Sequence, residues 1–293
     1  MSRRKKQIDP FSFTCERYRG NRDNKQLVKF FSSENGSQLA GHLKYSGWQE
    51  DLVNYRAYYL VKDKSSIVAF FAIQTGVLVN CENNRIGGIT HRFNHQMIPE
   101  YFIEDDVIDV TESLPSAELA LFCINDAYRN DAEKWKVEFP TRTVTPGTFI
   151  FYQFIAPLIL EIAEKTGLQY LYLFTADDGS GRLNEYYMRE LKFRPMEDMA
   201  CVRQSYDEKL DCLIVSLRKL TEECNRFKDL SKVNDILAYL KDHEETSTGD
   251  IKKLFAVNDI SYLAKEMQRS NLIEIRHRPK AFNLWCLKET KAV

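Results

Sequence analysis

The sequence predicts a mixed α/β fold (an α+β arrangement on a mixed sheet) followed by a small helical domain. Three observations carry this prediction. An apolar run from Ala117 to Ile124 is typical of a strand buried on both faces. A glycine-containing turn, a very apolar helical segment (Thr148 to Glu164) and a second strand (Tyr170 to Phe174) follow it. After Leu217 the apolar pattern changes to that of three short helices and a hairpin.

Composition limits the class of protein. The chain has 293 residues, which favours two domains, and 44% hydrophobic residues, which is enough for a sizeable core. A net charge of -1 gives no overall attraction to nucleic acid or to an anionic membrane. The seven cysteines are scattered, with no Cys-x-x-Cys pair and no signal peptide before them, so we expect reduced thiols, no metal and a cytoplasmic protein. The longest apolar run, Phe149 to Ala163, is predicted to be too short and too polar to span a bilayer.

The chain before the central strand is predicted to supply helices and a strand meander. A long insertion, Asn80 to Ser116, then precedes the central strand, and its second half is acidic. Two interpretations of this insertion stay open: a wall that favours a cationic amine, or a solvated loop. The predicted elements are strands at Phe11 to Tyr18, Tyr55 to Val61 and Ile67 to Val79, and helices at Gln26 to Phe31 and Gln38 to Leu52.

The turn Thr145-Pro146-Gly147-Thr148 has the chemistry of an anion site. A helix that begins there presents unpaired N–H groups and the positive end of its dipole. Pro146 is tolerated at a helix start, and Gly147 lets the backbone approach a phosphate. Arg142 adds a cation. The alternative is an ordinary helix cap with no ligand.

The ordered set of strand, turn, helix, strand and tyrosine-bearing helix resembles the Gcn5-related N-acetyltransferases, which have the acyl-CoA N-acyltransferase (GNAT) fold. The loop pattern of that family is Gln/Arg-x-x-Gly-x-Gly/Ala, and Arg142 to Gly147 match its first and last positions, with Thr145 in place of the first glycine. In the usual Tyr-x-x-Leu-Gly-Phe segment the spacing is one residue shorter than that from Tyr187 to Leu191, and Lys192 replaces the glycine. The resemblance covers roughly the first three-quarters of the chain.

The resemblance implies acetyl-CoA as cosubstrate. Glu118 is implied as the general base and Tyr187 as the acid, with Tyr186 as the fallback because the register is open. The two rings point about 100° apart on a helix, so only one can face the thioester. For Glu118 the alternative is an edge residue paired with a lysine. The implied cofactor-binding residues are Phe122, Cys123 and Ile124, on a segment that splays from its neighbour and bonds the pantetheine arm, and Arg142, Thr145, Gly147 and Thr148 at the pyrophosphate.

The predicted domains are residues 1–218, a linker at 219–230 and a winged-helix-like domain at 231–293. The third helix of that domain, Asp259 to Ser270, has balanced charge, and only the hairpin tip is basic, with Arg276, Arg278 and Lys280. Because phosphate neutralisation supplies most non-specific affinity, tight DNA binding is not expected. A protein partner or a second copy of this chain is expected there instead.

The sequence therefore predicts an N-acetyltransferase that moves an acetyl group from acetyl-CoA to an amine. The acceptor stays open among a small molecule, a protein and an aminoacyl-tRNA. Two alternatives from other classes remain: an acyl-CoA-sensing DNA-binding regulator, and a protein-interaction module with an inactive acyltransferase domain. No membrane partner is expected.

Overall fold

A computed structural model describes residues 9–80, 85–86, 89–90, 113–129, 137–176, 179–196, 199–201, 210–243, 245–276 and 283–288. The α-helices are α1 (Arg22–Val28), α2 (Ser37–His42), α3 (Trp48–Leu52), α4 (Asp126–Arg129), α5 (Pro146–Ile150), α6 (Ala156–Thr166), α7 (Arg182–Leu191), α8 (Leu217–Leu230), α9 (Val233–Asp242), α10 (Thr248–Leu254) and α11 (Ile260–Arg269). The strands are β1 (Thr14–Arg17), β2 (Ala57–Lys62), β3 (Ile67–Asn80), β4 (Arg85–Ile86), β5 (Ile89–Thr90), β6 (Ser113–Ile124), β7 (Val137–Phe139), β8 (Arg142–Val144), β9 (Tyr170–Thr175), β10 (Arg194–Pro195), β11 (Met199–Cys201), β12 (Asp211–Ser216), β13 (Thr246–Ser247), β14 (Ile273–Arg276) and β15 (Leu284–Leu287).

The chain divides into two compact units. Unit 1 comprises Met1–Trp135 with Pro146–Leu220, and unit 2 comprises Lys136–Thr145 with Thr221–Val293. The predicted linker, 219–230, lies within helix α8. The acidic residues of the insertion between Asn80 and Ser113, and the hairpin-tip residues Arg278 and Lys280, lie outside the described residues.

Unit 1 is built on an eight-stranded sheet of order β1-β2-β3-β6-β9-β12-β10, with β11 paired to β3. Strands β6 and β9 run parallel, and the other described pairs of this sheet are antiparallel. The predicted mixed α/β sheet is therefore confirmed. The central strand is longer than predicted, because β6 begins at Ser113.

Both faces of this sheet are buried. Phe70 and Ala72 of β3 pack on one face against α1 and the segment that joins α2 to α3, in a cluster that includes Phe31 and Leu43. Side chains alternate along a strand, so Phe71 points to the opposite face. It is also fully buried there, and its ring stacks on Tyr59 at 5.1 Å. Alternation with burial on both faces explains why β3 and β6 form near-continuous apolar runs.

Helices α5 and α6 form one continuous apolar rod, joined by a π-helical turn at Phe151–Ile155. The π turn ends two residues before Pro157, which has no N–H to donate to Gln153. Ala156 N–H donates to Phe151 O, five residues back. The rod ends at Gly167, which adopts the left-handed conformation (φ +73°) typical of a helix C-cap.

The length of this rod corrects the expectation that the apolar segment is too short and too polar to span a bilayer. The helical stretch Pro146–Thr166 has 21 residues and is long and apolar enough to cross a membrane by length and composition. Half of its most apolar part is buried inside the fold, as in the core helix of a globular unit. Ile150, Phe151, Ile155 and Ile159 are fully buried.

Unit 2 combines helices α9, α10 and α11 with a three-stranded antiparallel sheet of order β13-β15-β14. Trp285 is fully buried at its centre. The hairpin β7–β8 belongs to this unit, and Phe139 packs edge-on against Phe227 of α8 at 5.5 Å. The carboxylate of Asp229, also fully buried, accepts the backbone N–H groups of Asn258 and Asp259 and so holds the chain that enters α11.

Candidate functional site

The parallel strands β6 and β9 separate part of the way along. Their ladder runs from Ser116↔Tyr170 to Glu118↔Tyr172 and ends there. Beyond it, β6 continues to Ile124 on β3, and β9 continues to Thr175 on β12. The β9-facing backbone of residues 119–124 therefore has no ladder partner among the described strands. This is the splay that the family resemblance implies, and it leaves backbone N–H and C=O groups available to an extended ligand.

A β-bulge lies at the mouth of this wedge. Ala72 pairs with Leu121 and Ile73 pairs with Leu119, so Ala120 is the extra residue on β6. The bulge changes which side chains share a face. Glu118, Leu121 and Cys123, which are opposite Gln74, Ala72 and Phe70, lie on the face covered by α1 and α2, whereas Phe122 and Ile124 lie on the other face.

The thiol of Cys123 is a packed group. It belongs to the core cluster with Phe70 and Leu43, and a Cβ at Gly36 would lie only 2.7 Å from its Sγ. Burial raises the pKa of the Cys123 thiol, which disfavours the thiolate that a nucleophile needs. Only the backbone of Cys123 remains suited to ligand contact.

The start of helix α5 meets the end of β6 and helix α7. Gly147 and Thr148 are buried, whereas Thr145 is exposed. A Cβ at Gly147 would lie 3.7 Å from Ile124 Cδ1 and would overlap the hydroxyl of Tyr186. That hydroxyl is 3.4 Å from Thr148 Oγ1. The predicted turn, Tyr186 and the splayed end of β6 are therefore neighbours.

Arg142 lies on β8 in unit 2. Its Nε atom is buried and has no hydrogen-bond partner among the described residues. Burial raises the pKa of Tyr262 on α11, and the positive charge of Arg142 opposes that rise. The sequence motif does not reveal this location, because it records spacing and not the unit in which a residue packs.

The two tyrosines of α7 have different surroundings. Tyr186 faces the turn at Gly147, whereas the ring of Tyr187 packs against Phe193 at 5.9 Å. Burial raises the pKa of Tyr187, and the neighbouring Tyr186 and Cys123 raise it further. Tyr187 therefore keeps its proton at neutral pH, as a proton donor must.

Arg129 is a cation near this site that sequence reasoning missed. It ends α4, directly after the central strand, and its charge acts against the raised pKa of Tyr187. The signal in the sequence was its position, five residues after Ile124. A cation there is suitably placed to favour negative charge near the splayed end of β6.

Glu118 lies at the last rung before the strands separate. It pairs with Gln74 on β3 and with Tyr172 on β9, so it is not an edge residue. Its residue is 3% exposed, and its Oε2 accepts a hydrogen bond from Gln74 Nε2 at 2.7 Å. Gln74 was also missed, although it is a polar residue that interrupts the apolar run of β3.

Comparison with known proteins gives only structural relatives. No protein-family model matches the chain, and no curated protein matches it in sequence. A mutant of the AtaT toxin is 9% identical, with a TM-score of 0.47, over 75% of this chain and 98% of that one. A mutant of KacT is 12% identical (TM-score 0.44), over 72% of this chain and 98% of that one. AtaT complexed with acetyl-methionyl-tRNAfMet is 10% identical (TM-score 0.42), over 71% and 97%.

Proposed function

We propose that unit 1 is an acetyl-CoA-dependent N-acetyltransferase. The observation that carries the proposal is the wedge between β6 and β9, because three groups of complementary chemistry surround it. Glu118 lies where the wedge begins, the helix start at Gly147 lies near its far end, and Tyr187 lies near Cys123. Acyl transfer to an amine needs a proton acceptor, a place for the cofactor's anionic groups and a proton donor.

The residues fit an acyl-CoA. The β9-facing side of the backbone at residues 119–124 would bind the pantetheine amides as an added strand, with Phe122, Cys123 and Ile124 as contacts. The N–H groups at Gly147 and Thr148 would receive the pyrophosphate. The Cβ position at Gly147 is taken by the hydroxyl of Tyr186, so a side chain at 147 would displace that ring from beside the helix start. Thr145 and Arg142 remain proposed contacts from the segment that precedes this helix.

Glu118 would take a proton from the acceptor amine as its nitrogen attacks the thioester carbon. The new bond is C–N, and the bond that breaks is C–S. Tyr187 would donate its hydroxyl proton to the departing thiolate, and the proton on Glu118 returns to solvent. Tyr187 regains a proton from solvent as Glu118 releases one, so both groups return to their starting states. The net change is amine and acetyl-CoA to amide and the free thiol of coenzyme A.

The acceptor class is proposed only as an amine, with small molecules, proteins and aminoacyl-tRNA as candidates. Unit 2 is proposed to be winged-helix-like and to contact a protein or a second copy of this chain. The support is its element order of helix, strand, two helices and two strands, with three paired strands. We also propose a cytoplasmic setting, in which the described cysteines stay reduced.

Calorimetric titration with acetyl-CoA, followed by assay of thiol release with each acceptor class, tests the proposal. We expect binding by the wild type and none by Gly147→Glu, because the variant brings a negative charge to the helix start that would receive the phosphate and displaces the ring of Tyr186. Gly41→Glu is the matched control, since no atom lies within 4 Å of the Cβ position at Gly41. Equal affinity of folded Gly147→Glu would overturn the site. Binding without turnover on any acceptor class would favour an acyl-CoA sensor instead.

A further inference from the structure

We infer that Gln74 and Arg56 are positioning residues that orient the carboxylate of Glu118. The inference rests on the proposed function, because it concerns the proposed base. Gln74 Nε2 donates to Glu118 Oε2 at 2.7 Å, and Gln74 Oε1 accepts from Arg56 Nε at 2.8 Å. The Nη1 atom of Arg56 in turn lies 3.6 Å from Oε2 of Glu50. One relay of polar side chains thus joins the central strand to α3.

The relay has a defined direction. A guanidinium has only donors, so Arg56 requires an oxygen on the side of Gln74 that faces it. The amide group of Gln74 is thereby oriented with its NH2 towards Glu118. An amide rotated by 180° would place two donors against each other at Arg56. Gln74 can therefore only donate to Glu118, so the carboxylate accepts this hydrogen bond through a fixed oxygen, Oε2.

Arg56 is itself fixed by burial and by Glu50. The residue is 8% exposed, and a buried guanidinium without a partner would be costly. Glu50 supplies the opposite charge from α3. Its carboxylate also accepts from the hydroxyl of Tyr58 at 2.8 Å and lies 3.0 Å from His42 Nε2. Three elements, α3, β2 with its preceding turn, and β3, therefore restrain the side chain that faces Glu118.

The relay does not conduct protons. The guanidinium of Arg56 keeps its protons at all relevant pH values, so a proton taken up by Glu118 cannot leave through it. The role that remains is orientation. The hydrogen bond from Gln74 to Oε2 fixes the rotation of the Glu118 carboxylate at the point where β6 leaves β9. The carboxylate therefore presents the same orientation to each acceptor amine.

The test compares Gln74→Met, which keeps side-chain length and removes the amide, with Gln169→Met, an exposed glutamine in the turn before β9. We expect Gln74→Met to lower kcat by about tenfold to a hundredfold, the usual effect of one hydrogen bond to a charged group, with the KM for acetyl-CoA unchanged. A loss confined to kcat is the readout that a merely structural role would not give. Gln169→Met should behave as wild type.

A double mutant separates positioning from general damage. In a Glu118→Gln background, Gln74→Met should have little further effect on kcat, because the group that it positions is gone. If Gln74→Met does not fold, Arg56→Lys replaces it, with the same expected loss of kcat. It keeps the charge but not the guanidinium geometry.

The outcomes distinguish the two hypotheses. An unaltered kcat in Glu118→Gln would overturn the proposed base, and the positioning role with it. A large loss of kcat in Glu118→Gln, together with a wild-type kcat in folded Gln74→Met, would overturn the positioning role alone. Full additivity of the two losses of kcat in the Glu118→Gln, Gln74→Met double mutant would also overturn the positioning role.

Discussion

The hydroxyl oxygen of Tyr186 occupies the space that a Cβ at Gly147 would need. Gly147 is not among the residues with positive φ, so its backbone conformation does not demand glycine. Glycine is required at position 147 because the phenol ring of Tyr186, on α7, approaches so closely. One helix start and one tyrosine are thus fitted to each other, and any side chain at 147 displaces the ring.

Gly147→Ala is expected to lower the free energy of unfolding by about 1–3 kcal/mol, the usual cost of overpacking a filled site. Tyr186→Phe should restore most of that loss, because without the oxygen the nearest ring atom would be 3.2 Å from the new Cβ. Urea unfolding of the two single variants and the double variant measures this. Gly41→Ala, with open space around its Cβ, is the control. Additive losses in the double variant would refute the fitted contact.

Tyr187→Phe is expected to lower kcat by about a hundredfold or more and to leave the affinity for acetyl-CoA nearly unchanged. The reason is that burial raises the pKa of Tyr187, so it keeps its proton at neutral pH, and that Cys123 at the end of β6 is close enough to add to this effect. Single-turnover kinetics with calorimetry separates the two effects. Tyr186→Phe is the matched variant, and it should lose less kcat than Tyr187→Phe. A larger loss of kcat in Tyr186→Phe would assign the role of the acid to Tyr186.

Stability should fall at alkaline pH because buried tyrosines must ionise in the unfolded chain. Burial, with a contribution from Asp51, raises the pKa of Tyr18 to about 12. Burial and the hydrogen bond to Glu50 raise the pKa of Tyr58. A raised folded pKa means that the stabilisation is complete below the unfolded pKa of about 10 and is lost as pH rises through the folded value.

Each such tyrosine should weaken folding by about 1.4 kcal/mol per pH unit above roughly pH 10. Urea unfolding at three pH values across that range gives the slope. Tyr58→Phe should reduce the slope by the contribution of one group, whereas Tyr45→Phe, at an exposed position, should not. Identical slopes in all three proteins would show that Tyr58 is not responsible.

Binding of duplex DNA by the whole chain should be weak, with dissociation constants no tighter than about a micromolar at physiological salt. On unit 2, Arg269 is paired with Glu266 at 3.1 Å and Arg276 with Glu245 at 3.1 Å. The carboxylates of these ion pairs neutralise the charges of Arg269 and Arg276, so both arginines contribute less to binding of DNA phosphates. Fluorescence anisotropy at two salt concentrations measures the affinity and its slope. Sub-micromolar, steeply salt-dependent binding would favour the regulator hypothesis.

Long-range pairing limits what the sequence can predict here. The apolar runs of β6 and β9 and the apolar rod after Gly147 were predictable, because burial on both faces imposes composition directly. The bulge at Ala120 was not, since register depends on which β3 residue lies opposite. The relay from Glu118 was hidden for the same reason. Gln74, Arg56 and Glu50 are far from it in the chain, and only strand pairing brings them together.

The hairpin β7–β8 shows a second limit. The motif spacing placed Arg142 with the glycine turn, yet that residue packs in unit 2, where Ser270 donates to Thr141 O. A short polar hairpin between two apolar runs carries no sign of the core to which it belongs. Only its contact partners, such as Phe227, reveal this.

That hairpin also imposes an order of events on synthesis. Residues 136–145 leave the ribosome well before Thr221–Val293, with which they form one unit. At about 5–20 residues per second, the interval before the last partner emerges is on the order of 10 s. During that interval Phe139 has no Phe227 to pack against, and its apolar surface is open to chaperones or to premature contacts. A ribosome pause or truncation directly before α8 would leave the sheet of unit 1 complete while Phe139 still lacks Phe227.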